Sequence, residues 1–190
     1  LLKCPDEDFR DYITGLWLSG MRLSESIDLW WDREDKQHFD FSGKRPFIVI
    51  PAETEKGGRD RRIPLTPDFA EFLESLPGDR KGRVFKVPRS SDVVSRTVSG
   101  IGKAAGVKVD VKGDKVKYAA SAHDLRRSFG TRWARRLMPA QLMVLMRHED
   151  IGTTMNFYVD LPASELAEEL WPFTQQSAQQ LGEKPSFIEE

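Results

Sequence analysis

"HDLRRSFGTRWARRLMPAQLMVLMRHEDIGTTMNFY", residues 123–158, is the stretch on which the reading of this chain turns. Leu125, Phe129, Trp133 and Leu137 recur every four residues, the buried stripe of a helix. Pro139 opens another helix, with Leu142, Leu145 and Met146 turned inward. Thr153 or Thr154 is expected to cap a third, short helix that carries Tyr158. The polar residues left over have a pattern of their own. His123 and Arg126 are three apart, adjacent on one helical face. His148 follows Arg126 by 22 residues, and Tyr158 follows His148 by ten. The chain has only three histidines and three tyrosines, so two of each three fall at or just before this stretch.

Outward from that stretch the elements are short and mostly helical. "CPDEDFRDYITGLWLSG" (4–20) predicts a helix begun by Pro5 and Asp6, with acids in its first turn, and ended by Gly20. Phe9, Ile13, Leu16 and Trp17 share one face. Arg22 falls in the turn before a second apolar stretch, "LSESIDLWW". Two β signals follow, "FIVIPA" (47–52) and "RRIPL" (61–65), with Gly57-Gly58 between them as a hairpin tip beside Lys56. "TPDFAEFLESL" restarts a helix, with Thr66 as N-cap and Pro67 at its first position. A helix around "DVVSRTVSGIGKAAG" and a loop or hairpin through "VKVDVKGDKVKY" come next. Near the end, "SELAEELWPF" is amphipathic, and the polar "QQSAQQ" after it predicts disorder. The expected fold is α+β, mainly helical, with a small antiparallel sheet.

At 190 residues the chain can bury one good core and is short for two large domains. It starts at Leu1 without a methionine and so reads as an excised piece of a longer protein. No apolar run approaches the ~18 residues of a membrane span, and "LLKCPDEDFR" lacks the basic and apolar regions of a signal peptide. Cys4 is the only cysteine, which excludes an internal disulfide and a Cys-based zinc site and fits a reducing cytoplasm. The net charge of −1 argues at first against a nucleic-acid partner. Its distribution argues the other way. Residues 80–117 carry 11 Lys/Arg against 3 Asp/Glu and residues 118–159 carry 6 against 3, between acidic ends. A near-neutral total can conceal a strongly cationic face.

Taken singly, the polar residues have ordinary explanations. Arg22 could be a C-cap donor, Lys56 a hairpin lysine, His123 an N-cap and Arg126 a surface residue. Together they suit attack on a phosphodiester. Guanidinium forks match the non-bridging oxygens and neutralise charge as it grows. A histidine can hold the phosphate or move a proton near neutral pH, and a lysine can protonate the departing oxygen. A tyrosine, with a pKa of about 10, needs neighbouring cations or a base before it becomes a nucleophile. No carboxylate cluster or His/Cys pair has the pattern of a metal site, which disfavours two-metal nuclease chemistry.

Three segments carry a resemblance. "TGLWLSGMRLSES" (14–26), "HDLRRSFGTRWA" (123–134) and "LMRHEDIGTTMNFYVD" (145–160) resemble, in order, residue type and His-to-Tyr spacing, the signature segments of the tyrosine recombinase (phage integrase) family. The resemblance implies a catalytic domain over residues 1–174, with 161–174 a docking helix, 175–190 a polar tail, and the family's N-terminal DNA-clamping domain absent from this piece. It implies that Arg22, Lys56, His123, Arg126 and His148 activate a scissile phosphate, that Glu25 supports Arg22, and that Tyr158 attacks. The turn "EDIGTT" would then fold back so that His148 and Tyr158 face one phosphate. Tyr12, on the first helix, and Tyr118, without a partner at family spacing, are poorer candidates. Arg89 and Arg96 in the cationic block, and Arg127 beside Arg126, are candidate DNA contacts.

The implied reaction forms a 3′-phosphotyrosyl link and frees a 5′-hydroxyl, with no cofactor and no metal. The implied partners are double-stranded DNA and, on it, three further copies in a homotetramer, the free piece being monomeric. The implied location is the cytoplasm, at the nucleoid. Alternatives are a type IB topoisomerase, which relaxes DNA by the same chemistry, and a non-catalytic DNA-binding module. One departure stands out. The family has Leu-Gly before the third-segment histidine, and this chain has Met146-Arg147, a charge where glycine would let the backbone approach closely.

Overall fold

The computed structural model describes residue 4 and residues 6–54, 58–112, 115–118 and 121–158. Lys56, the proposed docking segment 161–174 and the tail 175–190 lie outside the described residues. Helix α1 (Glu7–Ser19) begins where Asp6 accepts a hydrogen bond from the Phe9 amide at 3.1 Å. It ends on Gly20, left-handed at φ +61°, whose N–H closes on the Leu16 carbonyl at 3.0 Å. Tyr12 is fully buried on this helix, its hydroxyl sharing a 2.8 Å hydrogen bond with Ser26 Oγ. Burial pushes that phenol up to about 12, so it is a core group.

A five-residue helix, α2 (Leu23–Ile27), leads into strand β1 (Leu29–Trp30). Strands β2 (Gln37–Asp40), β3 (Phe47–Ile50) and β4 (Arg61–Pro64) complete a sheet in the order β1-β2-β3-β4. The expected small sheet is present and is antiparallel from β2 to β4, with β1 added in parallel to β2. Phe39, Ile48, Ile50 and Ile63 point into the core, as alternation along half-buried strands requires. Helix α3 (Pro67–Ser75) starts after Thr66, but the Thr66 hydroxyl donates to the Leu18 carbonyl at 3.3 Å instead of capping its own helix. That bond ties the start of α3 to the end of α1.

Helix α4 (Ser91–Ala104), capped by Ser90, and a separate antiparallel hairpin, β5 (Lys108–Lys112) with β6 (Lys115–Tyr118), follow as expected. Helix α5 (Ala122–Ala134) opens with a capping box between Ser121 and Asp124, so the cap is Ser121 and not His123. Helix α6 (Pro139–Met146) and helix α7 (Ile151–Met155) close the described chain. Asp150 caps α7 by accepting from the Thr153 amide at 3.0 Å. Thr153 and Thr154 therefore lie inside α7, and Tyr158 sits in the turn after it. One large apolar cluster joins α1, the sheet, α3 and α4. A second, built on Phe129, Leu142 and Met146, joins α5, α6 and the turn that carries Phe157 and Tyr158.

Candidate functional site

Helices end with carbonyls that have no partner inside the helix. Three such carbonyls, at Gly20 after α1 and at Met146 and Arg147 closing α6, meet in one place, and arginines satisfy all three. Arg126, on α5 and only 7% exposed, donates from Nη1 to Gly20 O at 2.6 Å and from Nη2 to Met146 O. Arg22 donates from Nη2 to Arg147 O at 2.8 Å and from Nη1 to Glu25 Oε1 at 2.8 Å. The backbone amide of Arg22 donates to Glu25 Oε2, also at 2.8 Å. Arg147 donates from its own Nη2 to the same Oε2 at 2.7 Å. Glu25 thus stands between two guanidiniums. Gly20 permits this convergence, because a β-carbon there would collide with the Phe129 ring.

The electrostatics follow from the crowding. Burial, then the charges of Arg147 and Arg22, lowers the Arg126 pKa to about 9. Burial would raise the Glu25 carboxyl, but Arg147 and Arg22 outweigh it and hold the group below the usual carboxylate range. His148 is brought down to about 4 by burial, then by Arg126, Arg22 and Arg147, so its ring is uncharged at neutral pH. The ring is held on two sides. Nδ1 shares a 2.9 Å hydrogen bond with Thr154 Oγ1, and one face stacks on Phe157 with centroids 6.1 Å apart. Phe157 in turn nests on Gly130 of α5, where a β-carbon would strike it.

Two hollows open on this cluster. One, of about 460 Å³, is lined by Arg22, His123, Arg126 and His148, with Ser95 and Thr153. The other, of about 860 Å³, is lined by Arg22, Glu25, Arg147 and His148, with Glu149 and Asp150 on its acidic side. Arg22, His123, Arg126 and His148 therefore line one hollow, and Glu25 accepts from both the amide and Nη1 of Arg22. Arg89, Arg96 and Arg127 are exposed and line neither hollow.

Tyr158 is not in the hollows either. Its hydroxyl donates to the Leu137 carbonyl at 2.6 Å, and its ring belongs to the second apolar cluster. Helix α5 stops at Ala134, which leaves Leu137 O available as an acceptor, and the turn after α7 carries the phenol to it. Burial raises the Tyr158 pKa. His148 thus lines both hollows, whereas Tyr158, bonded to the Leu137 carbonyl, lines neither.

Sequence reasoning passed over Thr154, Phe157 and the Leu137 carbonyl. The Thr-Thr pair five to six residues after His148 was a usable signal for the first. No signal marks a backbone carbonyl 21 residues from its phenol. Arg147 is a left-handed residue at φ +56°. The position therefore favours glycine for its backbone angle, and a side chain there costs about 1–2 kcal/mol.

Residues 5–165 match the phage integrase family. The chain belongs to that family. Solved structures with the same fold include the Tn1549 transposon integrase in complex with transposon right-end DNA, at 20% identity and a TM-score of 0.54 over 86% of this chain and 58% of that one. XerA recombinase matches at 20% identity and a TM-score of 0.54, over 91% of this chain and 64% of that one. A lambda integrase dimer bound to a core site matches at 19% identity and a TM-score of 0.60, over 84% and 55%. This member of the phage integrase family thus spans a little over half the length of those structures. No curated protein matches it by sequence.

Proposed function

We propose that this chain is the catalytic domain, over residues 1–174, of a site-specific DNA recombinase or integrase. The observation that carries the proposal is the hollow in which Arg22, His123, Arg126 and His148 converge around carbonyl- and carboxylate-anchored guanidiniums. Such donors, fixed before the reaction, fit the oxygens of a phosphodiester as negative charge builds on them. In the proposed reaction Tyr158 Oη bonds to phosphorus, the bond from phosphorus to the 5′-oxygen breaks, and that oxygen leaves as a hydroxyl. Lys56 protonates it, and Tyr158 gives up its own proton on attack to the uncharged His148 or, through it, to water. One phosphate ester replaces another, so the step is reversible by a 5′-hydroxyl from the same or a second duplex.

His148, uncharged and held by Thr154, is fitted to hydrogen-bond the phosphate or pass a proton. Before attack, Tyr158 must exchange its bond to Leu137 O for one toward phosphorus, which makes movement of the turn after α7 part of activation. Arg89, Arg96 and Arg127, on exposed positions, hold the DNA backbone. Met138, Val144, Ile151 and Met155 are exposed apolar side chains on or beside α6 and α7. They offer a surface for residues 161–174 of this or a neighbouring copy, consistent with a homotetramer on DNA. Among the described residues no helix is long and apolar enough to cross a membrane, and we place the protein in the cytoplasm, at the nucleoid.

The test is a pool of nicked duplexes with randomised core sequence, scored for protein–DNA adducts that survive denaturing gels. The chain should form adducts that carry DNA on Tyr158, and Tyr158→Phe should form none. Adducts that persist in Tyr158→Phe would remove the tyrosine from the reaction. Relaxation of supercoiled plasmid without exchange between two sites would point to topoisomerase chemistry instead.

A further inference from the structure

We propose that the Arg147 side chain is a positioning group of this site, aligning Arg22 through Glu25 beside the bond that the residue-147 carbonyl makes to the same guanidinium. The inference rests on the strand-cleavage reading of the same cluster and goes beyond it, since Arg147 stands where the family resemblance calls for glycine. The backbone angle at this position suits glycine, yet the chain carries a long side chain there and buries it, with only 2% of that side chain exposed. A buried guanidinium retained against an unfavourable backbone angle needs a compensating contact. The contact is Glu25. Its Oε2 takes Arg147 Nη2 at 2.7 Å and the Arg22 amide at 2.8 Å, which leaves Oε1 for Arg22 Nη1.

Two consequences follow for Arg22. With Oε2 occupied, Glu25 cannot swing round to grip Arg22 in a bidentate fork. The carbonyl of Arg147 takes Nη2 of Arg22 at 2.8 Å and fixes the guanidinium plane from the other side. Arg22 is therefore held by one bond at each of its two terminal nitrogens. Its side chain remains 44% exposed toward the hollows, with N–H groups left for an incoming anion. Arg147 also adds a third, poorly screened positive charge beside one carboxylate.

The same arrangement adds to the effect of burial in keeping a proton off His148. The groups that face it are Arg126 from α5, Arg22 ahead of α2, Arg147 as its neighbour, and Thr154 and Phe157 after it. Around the two hollows it lines stand His123 and Thr153, then Glu25, Asp28, Lys36, Glu53, Glu149 and Asp150. Loss of Arg147 removes one of three cations that oppose a proton on the ring.

The experiment compares the parent chain with Arg147→Gly and Arg147→Lys. Glycine fits φ +56° without strain, so the fold is kept. On a nicked duplex selected with the parent, Arg147→Gly should slow adduct formation about 10²-fold, the scale of a misaligned reacting group. Affinity for an intact duplex of the same sequence should stay within about threefold, because the buried side chain makes no surface contact. Arg147→Lys should recover part of the rate, since a single ammonium can still reach Glu25. Ring-nitrogen NMR of the chain without DNA should show the His148 midpoint moving in Arg147→Gly from about 4 toward the ordinary 6.5. Adducts at the parental rate in Arg147→Gly, or a Lys variant no faster than the glycine one, would overturn the inference alone. If the parent itself forms no adduct dependent on Tyr158, the functional reading fails and takes this inference with it.

Discussion

The two apolar clusters of this domain differ in size and in what they hold. Among the described residues, 20 buried side chains form the first, and Arg22, Glu25 and the end of α1 are rooted in it. Only Phe129, Leu142 and Met146 are buried in the second, yet it supports His148 through Phe157 and receives Tyr158 itself. Local opening is easier where fewer apolar contacts must be broken. The arginine-holding half of the site therefore stands on the larger cluster, and the half that moves in the proposed reaction stands on the smaller one. Arg126 joins them, with one hand on Gly20 and the other on Met146.

The strongest way to break that division is to cut the join. Arg126→Ala removes a guanidinium from the hollow and leaves the carbonyls of Gly20 and Met146 without their donor. Loss of such a donor should cost roughly 10²–10³ in cleavage rate. Each orphaned buried carbonyl should cost about 1–3 kcal/mol of stability. Adduct formation and thermal melting of the same variant measure both. A loss of rate under about threefold would separate Arg126 from the chemistry.

The next test compares the clusters directly. Leu16 and Leu142 are both fully buried, one in each. Truncating either to alanine should cost roughly 2–5 kcal/mol. The two losses should be distributed differently in hydrogen exchange. Leu16→Ala should lower protection throughout α1 and the sheet, whereas Leu142→Ala should lower it mainly in α6, α7 and the amides of Phe157 and Tyr158. Equal loss everywhere would mean that the domain opens as one unit and the division is only geometrical.

What the sequence alone conveyed divides along similar lines. Local signals were legible: Asp6 and Gly20 bound α1, and Pro139 starts α6; Arg22, Arg126 and His148 line one hollow. Elements that depend on distant partners were not. Strand β2, "QHFD", is four residues with no apolar alternation and exists because it pairs with β3 on one side and β1 on the other. Thr66 has the right type for a helix cap, but its hydroxyl finds the Leu18 carbonyl instead. Thr153 and Thr154 lost the capping position to Asp150, whose carboxylate is the better acceptor for a helix N-terminus. The direction of Tyr158 was illegible for the same reason as Thr66. A hydroxyl chooses among carbonyls that only the folded chain brings within reach.

A smaller effect is expected from pH. His148 takes its proton near 4 in the folded chain and at 6.5 when unperturbed. Between those values the unfolded chain binds more protons, so this group's share of stability is complete above 6.5 and is lost as pH falls toward 4. The ring is partly open to solvent, and screening reduces the effect to on the order of 1 kcal/mol. Glu25 adds to the loss only below its ordinary 4.5, because its folded value lies lower still. Melting temperatures between pH 7 and 4.5 should fall more for the parent than for His148→Gln. Parallel curves would show that neither burial nor the arginines depress the histidine.

The smallest effect concerns a second arginine on α5. Arg132 also ties α5 to α1, since its Nη2 donates to the Trp17 carbonyl and its guanidinium lies 3.7 Å from the Trp17 ring centroid. In bonding it resembles Arg126, but it sits two turns away on the outer side and lines neither hollow. A cation–π contact at an exposed position contributes about 0.5–1 kcal/mol, and the hydrogen bond adds a similar amount. Arg132→Ala should therefore lower stability by roughly 1–2 kcal/mol while adduct formation stays within about twofold. The pair of variants separates holding α1 against α5 from placing charge in the hollow. If Arg132→Ala slowed cleavage as much as Arg126→Ala, the α1–α5 contact itself would be what the site requires, and the guanidinium of Arg126 would act by holding the helices together and not by facing phosphate.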